Sequence, residues 1–179
     1  MVTRDERAWL LDAVARDARE WDEWFGRSID VGGLEKERNI LRYRPASTQV
    51  RGCADAKLVD VARVVAAGLL AAGDNISVCL DPSLGEGLGR ALRSVGVAVT
   101  TASDEDWYAS LGASRVRLVG GNPSRAADEA DGDPDLALWA NEVTSAPQVE
   151  LLPFLREQSV SMTAHRFGNP DAGVLSVRL

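Results

Sequence analysis

Strands alternating with amphipathic helices predict an α/β fold with a mostly parallel, Rossmann-like sheet, preceded by an N-terminal helix and followed by an extended C-terminal tail. Short apolar runs at 76–80 and 116–119 are of the kind that a sheet covered on both faces buries. Helical patterns of about 10–15 residues separate such runs, as βαβ units require. The chain has 179 residues, 45% of them hydrophobic, and its apolar runs stay well short of membrane-spanning length. That suits one hydrophobic core.

The first element is a helix over 3–25. Thr3 and Glu6 have capping-box spacing, and Leu10, Val14, Ala18, Trp21 and Phe25 recur every three to four residues. Trp9 and Trp24 widen the apolar side, so this helix must pack against its own domain or a further module. Gly26 and the Gly32-Gly33 pair end it. Residues 40–44 form an extended segment closed by Pro45. A helix over 56–72 carries Leu58, Val61, Val65 and Leu69 in register. A buried strand at 76–80, a helix at 84–94 and a strand at 97–100 follow. Ser103 and Asp106 cap a short helix to Leu111, then a strand runs over 116–119. Residues 122–134, rich in Asp, Ala and Gly, hold at most a weak helix at 124–130. A strand at 136–140, a helix at 149–157 and a strand at 160–163 complete the pattern. The domain organisation is therefore helix 1–28, α/β domain 29–157, and strand and tail 158–179.

No segment reads as a self-sufficient active site. Gly85-Glu-Gly87-Leu-Gly89-Arg follows a strand and opens a helix, where a dinucleotide fingerprint would sit. The spacing fails, because Arg90 stands where the third glycine belongs. Gly120-Gly121-Asn122-Pro123 reads as a turn, and only weakly as a phosphate nest. The basic stretch Arg38, Arg42, Arg44 and Arg51 around Tyr43 reads as a solvated face. Carboxylates at 104–106 and 131–135 sit at helix starts and in loops, and Asp131–Asp135 lacks the rest of a calcium loop. Catalytic, cofactor-binding and metal-ligating residues are all expected to be none.

The net charge of −7 argues against nucleic acid as a partner. Apart from Lys36 and Lys57, the positive charge is all arginine. Cys53 and Cys79 lack metal spacing and read as buried thiols of a reducing cytoplasm. The N-terminus MVTRDERAW is charged and has no signal-peptide h-region.

The tail concentrates recognition chemistry. His165, the chain's single histidine, stands beside Arg166, Phe167, Gly168 and Asn169. Ser161, Thr163, Ala164, Gly168 and Asn169 fall without a gap on the C-terminal motif of long-form proline utilisation A, and Leu152, Leu155 and Glu157 match the amphipathic run before it. Far upstream, Gly33 with Glu37, Arg38 and Asn39, then Leu41 and Pro45, is similar to another segment of that family. His165-Arg166-Phe167 departs from the small residues many members carry and resembles the actinobacterial version. The resemblance runs from about Leu34 to Pro170.

The resemblance implies a parent enzyme that oxidises proline to glutamate. It would use an FAD-dependent proline dehydrogenase and an NAD-dependent L-glutamate gamma-semialdehyde (1-pyrroline-5-carboxylate) dehydrogenase. The family's catalytic cysteine, general-base glutamate, nicotinamide site and flavin barrel have no counterparts in this sequence. The expectation is a cytoplasmic, noncatalytic C-terminal domain, shaped like a degraded aldehyde dehydrogenase dinucleotide-binding domain. Its tail, Ser161, Thr163, Ala164, His165, Arg166, Phe167, Gly168 and Asn169, would dock on the dehydrogenase module of the same polypeptide or of a dimer mate. There it would help cover the cavity that channels the intermediate. The alternatives are a freestanding α/β module binding a nucleotide or small anion, and an oligomerisation domain built on the first helix.

Overall fold

The computed structural model describes residues 2–34, 36–166, 169–170, 173 and 176–177, with backbone alone at 165, 166, 169 and 170. Two compact units make up the chain. One comprises Met1–Ala18 with Pro45–Leu155, the other Arg19–Arg44 with Arg156–Leu179.

In chain order the elements are α1 (Arg4–Glu20), a π-helical turn (Trp21–Phe25), β1 (Ile29–Asp30), β2 (Glu37–Pro45) and β3 (Thr48–Gly52). Next come α2 (Leu58–Ala72), β4 (Ile76–Leu80), α3 (Glu86–Ser94), β5 (Ala98–Thr101), α4 (Asp104–Ala109) and β6 (Arg115–Val119). The chain continues through α5 (Pro123–Glu129), β7 (Ala137–Trp139), α6 (Pro147–Glu150), β8 (Leu155–Thr163), β9 (His165–Arg166) and β10 (Asn169–Pro170).

The first unit is built on a five-stranded parallel sheet in the order β5-β4-β3-β6-β7. Numbered from β3, that order is the 3-2-1-4-5 of a doubly wound dinucleotide-binding half. The α/β, Rossmann-like expectation is met. Val50 of the central strand lies beside Val78 on one side and Arg117 on the other. Val61, Val64 and Val65 of α2 are buried with Leu118, Leu151 and Phe154. Gly68 lets Phe154 approach α2 closely: a Cβ there would stand 2.8 Å from the phenyl ring. Trp107, Tyr108, Cys53, Cys79, Val116 and Ala126 form a second cluster.

Three fully buried arginines cross this core, each on a carboxylate. Both carboxylate oxygens of Asp17 accept from Arg63, at 2.6 and 2.8 Å. Burial pushes the Asp17 carboxyl up against the pull of that guanidinium. Arg117 makes a bidentate contact with Glu150 at 3.0 and 3.1 Å, and Glu150 also accepts from the Thr144 N–H. Arg51 bonds Asp104 at 2.6 Å. Breaking one such pair costs about 3–5 kcal/mol, because it leaves an uncompensated charge inside.

Several sequence expectations need correction. β3, the central strand, was not expected at all, and Arg51 was assigned to a solvated face although it is fully buried. On α2 the buried face runs through Val61, Val64, Val65 and Gly68, while Leu69 faces outward. The Thr3–Glu6 capping box forms, with reciprocal bonds of 2.8 and 3.2 Å. However, α1 buries Ala13 and Asp17, leaving Val14 and Leu11 exposed, so a buried ion pair overrides the apolar stripe. The helix expected over 149–157 ends at Glu150. Pro153 cannot donate an N–H and disfavours helical geometry in Leu152. A 3-10 turn over Leu152–Phe154 intervenes, and Leu155 already begins β8.

The second unit holds a three-stranded sheet in the order β1-β2-β8, with β1 and β2 antiparallel, and the small antiparallel ribbon β9–β10. Phe25 packs edge-on against Tyr43, ring centroids 4.9 Å apart.

Candidate functional site

In a doubly wound sheet the chain leaves the central strand in opposite directions, and the crevice at the carboxyl ends of the two diverging strands receives the ligand. Here those strands are β3 and β6. Beyond them lies a cleft of about 390 Å³, lined by Asp55, Ala56 and Lys57 after β3, Gly120 and Gly121 after β6, and Asn141 and Glu142 after β7. The glycine-rich segment at 85–90 instead follows β4, one strand away from this switch point. A fingerprint would have to occupy Cys53-Ala-Asp55-Ala-Lys57, which contains no glycine.

The cleft already holds an anion of its own. Gly121 N–H donates to Asp55 Oδ1 at 2.7 Å. Gly120 and Gly121 have φ of 71° and 72°, left-handed values that favour glycine. A Cβ on Gly120 would run into the Asp55 carboxylate, and one on Gly121 would stand 2.7 Å from the Tyr108 hydroxyl. Asp60, half-buried in the first turn of α2, has its carboxyl raised by burial, with Lys57 opposing. Three carboxylates against one ammonium make this cleft unsuited to a pyrophosphate.

The second landmark of a dinucleotide site is an acid closing the next strand, which bonds the ribose. Asp81 holds that position after β4, but its oxygens accept from Ser83 N–H at 2.9 Å, Ser83 Oγ at 2.6 Å and Asp104 N–H at 3.0 Å. Burial raises its carboxyl, yet the Ser83 and Asp104 donors and the Arg51 charge outweigh burial and leave it below the usual range. Arg51, besides Asp104, donates to Cys79 Sγ and Ala102 O, each at 3.1 Å. It also lies 5.3 Å from the Trp107 ring centroid. Cys53 is pushed up to about 12, by burial and then by the Asp104 charge, with Arg51 opposing. It stays a neutral thiol and a poor nucleophile. Among the described residues no cluster of His, Cys, Asp or Glu could hold a metal ion.

The tail residues fall in the second unit. Ser161 Oγ donates to Asn39 Oδ1 at 2.8 Å, and Ala164, itself buried, donates its N–H to Lys36 O at 2.9 Å. Arg42 bonds Gln158 at 2.7 Å, and Arg38 reaches Val177 O at 2.6 Å. The two segments singled out in the sequence, around 33–39 and 161–164, are thus brought together. Thr163 ends β8 as an exposed residue. His165, Arg166 and Asn169 lie on the β9–β10 ribbon. Phe167 and Gly168 lie outside the described residues. Sequence reasoning missed Asp55 altogether. A signal was available: Thr48, Val50 and Gly52 alternate with Gln49 and Arg51, as in a two-faced strand, and Asp55 follows where such a strand must turn.

No protein-family model matches the sequence, and no curated protein matches it. Among solved structures, the chain is similar to proline utilization A from Corynebacterium freiburgense, with a TM-score of 0.58 and 25% sequence identity over 89% of this chain. It spans 14% of that structure's own length. The likeness is to a fold found within proline utilization A. Among the described residues no helix is long and apolar enough to cross a membrane.

Proposed function

We propose that this chain is the noncatalytic C-terminal domain of a bifunctional proline-catabolic enzyme, of the actinobacterial long form. The observation that carries the reading is the likeness to one short part of proline utilization A across nearly this whole chain. The filled switch point supports a role other than NAD binding. The dehydrogenase module of the same polypeptide or of a dimer mate is the partner, with FAD and NAD held elsewhere in the parent, in the cytoplasm. The tail, from Ser161 to Asn169, helps cover the semialdehyde site and retains the intermediate away from bulk water. Backbone edges and small residues suit that task, since an extended segment docks through main-chain hydrogen bonds.

The test is deletion of residues 159–179 from the polypeptide that carries the dehydrogenase module. Aldehyde oxidation should fall and the coupled proline-to-NADH progress curve should acquire a lag, while flavin-dependent proline oxidation is unchanged. Wild-type values for all three would sink the covering role and leave a stability or oligomerisation element. NAD-dependent turnover, or saturable NAD binding, by residues 1–179 alone would sink the noncatalytic assignment.

A further inference from the structure

We infer that the outer edge of β8 is an interaction edge for a second copy of this chain, whose own β8 adds to it antiparallel across a two-fold axis. The inference goes beyond the proposed role and does not rest on it. Natural proteins keep the edge strands of their sheets short, or guard them with charge, proline or a bulge. Among the described residues the other edge strands are short: β1 has two residues, β5 four and β7 three. β8 has nine and closes the order β1-β2-β8. From Gln158 to Thr163 it reads Gln-Ser-Val-Ser-Met-Thr, with no charge, proline or glycine. Residues 156–159, 161 and 163 are exposed.

The inner edge is taken by β2. Ala164 N–H donates to Lys36 O at 2.9 Å, Ser161 Oγ donates to Asn39, and Gln158 accepts from Arg42. Each step forward along β8 is matched by the same step back along β2, so the pair is antiparallel with no bulge between these contacts. Main-chain groups alternate in direction along a strand. Those of Ala164, Met162 and Val160 therefore face β2, and those of Thr163, Ser161, Ser159 and Glu157 face outward. Among the described residues no strand lies beside that outward row. The occupant follows from how the row fits itself. With Val160 on the two-fold axis, Ser159 stands opposite the partner's Ser161 and Glu157 opposite the partner's Thr163. Every outward residue is then paired and no like charges meet, since Arg156 faces Ala164 and Glu157 a hydroxyl. The joined sheet runs β1-β2-β8-β8-β2-β1, so one pairing removes the long open edge from both copies and leaves only two-residue strands outermost. The residues after Thr163 stay available for the docking proposed above.

The experiment is sedimentation velocity on residues 1–179 from micromolar to millimolar concentration, because one strand pair is a small interface of modest affinity. Wild type should pass from monomer to dimer and no further. Ser159→Pro removes an outward N–H and none that β2 receives, a change that an edge strand accepts. It should weaken dimerisation by about tenfold or more, the bond being lost twice per dimer. Ser159→Lys, which adds a charged guard, should act in the same direction. Val160→Cys should cross-link the dimer in oxidised glutathione, because opposed Cα atoms about 4.5 Å apart suit a disulfide. Ser161→Cys, which faces Ser159 instead of itself, should not, and the native Cys53 and Cys79 are buried. A wild type that stays monomeric at millimolar concentration overturns the inference. So does a folded Ser159→Pro that dimerises as wild type does, because the interface then lies elsewhere. If Ser159→Pro does not fold, Ser159→Lys decides alone by the same criterion. Cross-linking through Ser161→Cys but not Val160→Cys removes the two-fold axis at Val160, and the inference with it.

Discussion

The parallel sheet of the first unit and the β1-β2-β8 sheet of the second handle polar groups in opposite ways. In β3 and β6 most residues are buried, and the fully buried charged ones, Arg51 and Arg117, are closed onto carboxylates. In β8 most residues after Leu155 are exposed, and Arg42–Gln158 and Ser161–Asn39 bond at the surface. A site whose donors and acceptors already satisfy one another has little left for a ligand. A sheet that presents side chains to solvent has much. On the proposed reading, that contrast is what lets a Rossmann-like shape serve a role other than NAD binding, with docking assigned to the tail.

The strongest way to break this contrast is Val65→Asp, which places an unpaired charge in a fully buried position of the first unit. Loss of several kcal/mol against a typical total of about 5–15 should abolish cooperative unfolding. Asp131→Asn is the matched control. Its φ of 47° suits asparagine, so the thermal midpoint should stay put. Arg117→Met should cost about 3–5 kcal/mol in denaturant titration by stranding Glu150, whereas pairing it with Glu150→Met should recover most of the loss. Full additivity of the two would show that the pair does not act as a unit.

Smaller effects sharpen the other side. Ser161→Ala should cost about 0.5–1.5 kcal/mol and speed amide exchange of Ala164 without touching Val50 or Val78. An equal change across the parallel sheet would contradict a locally held tail. Finally, Asp81 has a folded pKa below its unfolded one, so its stabilisation is present above about pH 4 and lost as pH falls through the folded value. The gap in thermal midpoint between wild type and Asp81→Asn should close on acidification below about pH 4. A gap that widens there reverses the assigned sign.

Much of the fold was legible because most crossover helices and apolar strands have clean periods. β4, β6 and α2 were expected close to where they lie. β3 was not, because Gln49 and Arg51 look like surface residues until their partners are known. Gln49 accepts from Trp107 at 2.8 Å and Arg51 bonds Asp104, contacts 58 and 53 residues away. Missing β3 also displaced the candidate ligand crevice, since the switch point is defined by the strand that was overlooked. The end of the last helix was hidden for a local reason: Leu151, Phe154 and Leu155 are all buried, but Pro153 makes them turn and strand.

The division of the second unit between 19–44 and 156–179 has a consequence for how the protein is made. During synthesis β2 emerges early, yet its neighbour β8 arrives only after the whole of 45–155 has been added. At about 5–20 residues per second that wait is on the order of ten seconds. For that time one edge of β2 stands open to any other strand in reach. Glu37, Arg38, Arg42 and Arg44 lie along it, and charged edge residues discourage stray pairing. Arg38, Arg42 and Arg44 are residues of the kind that discourages such pairing while the edge waits for β8.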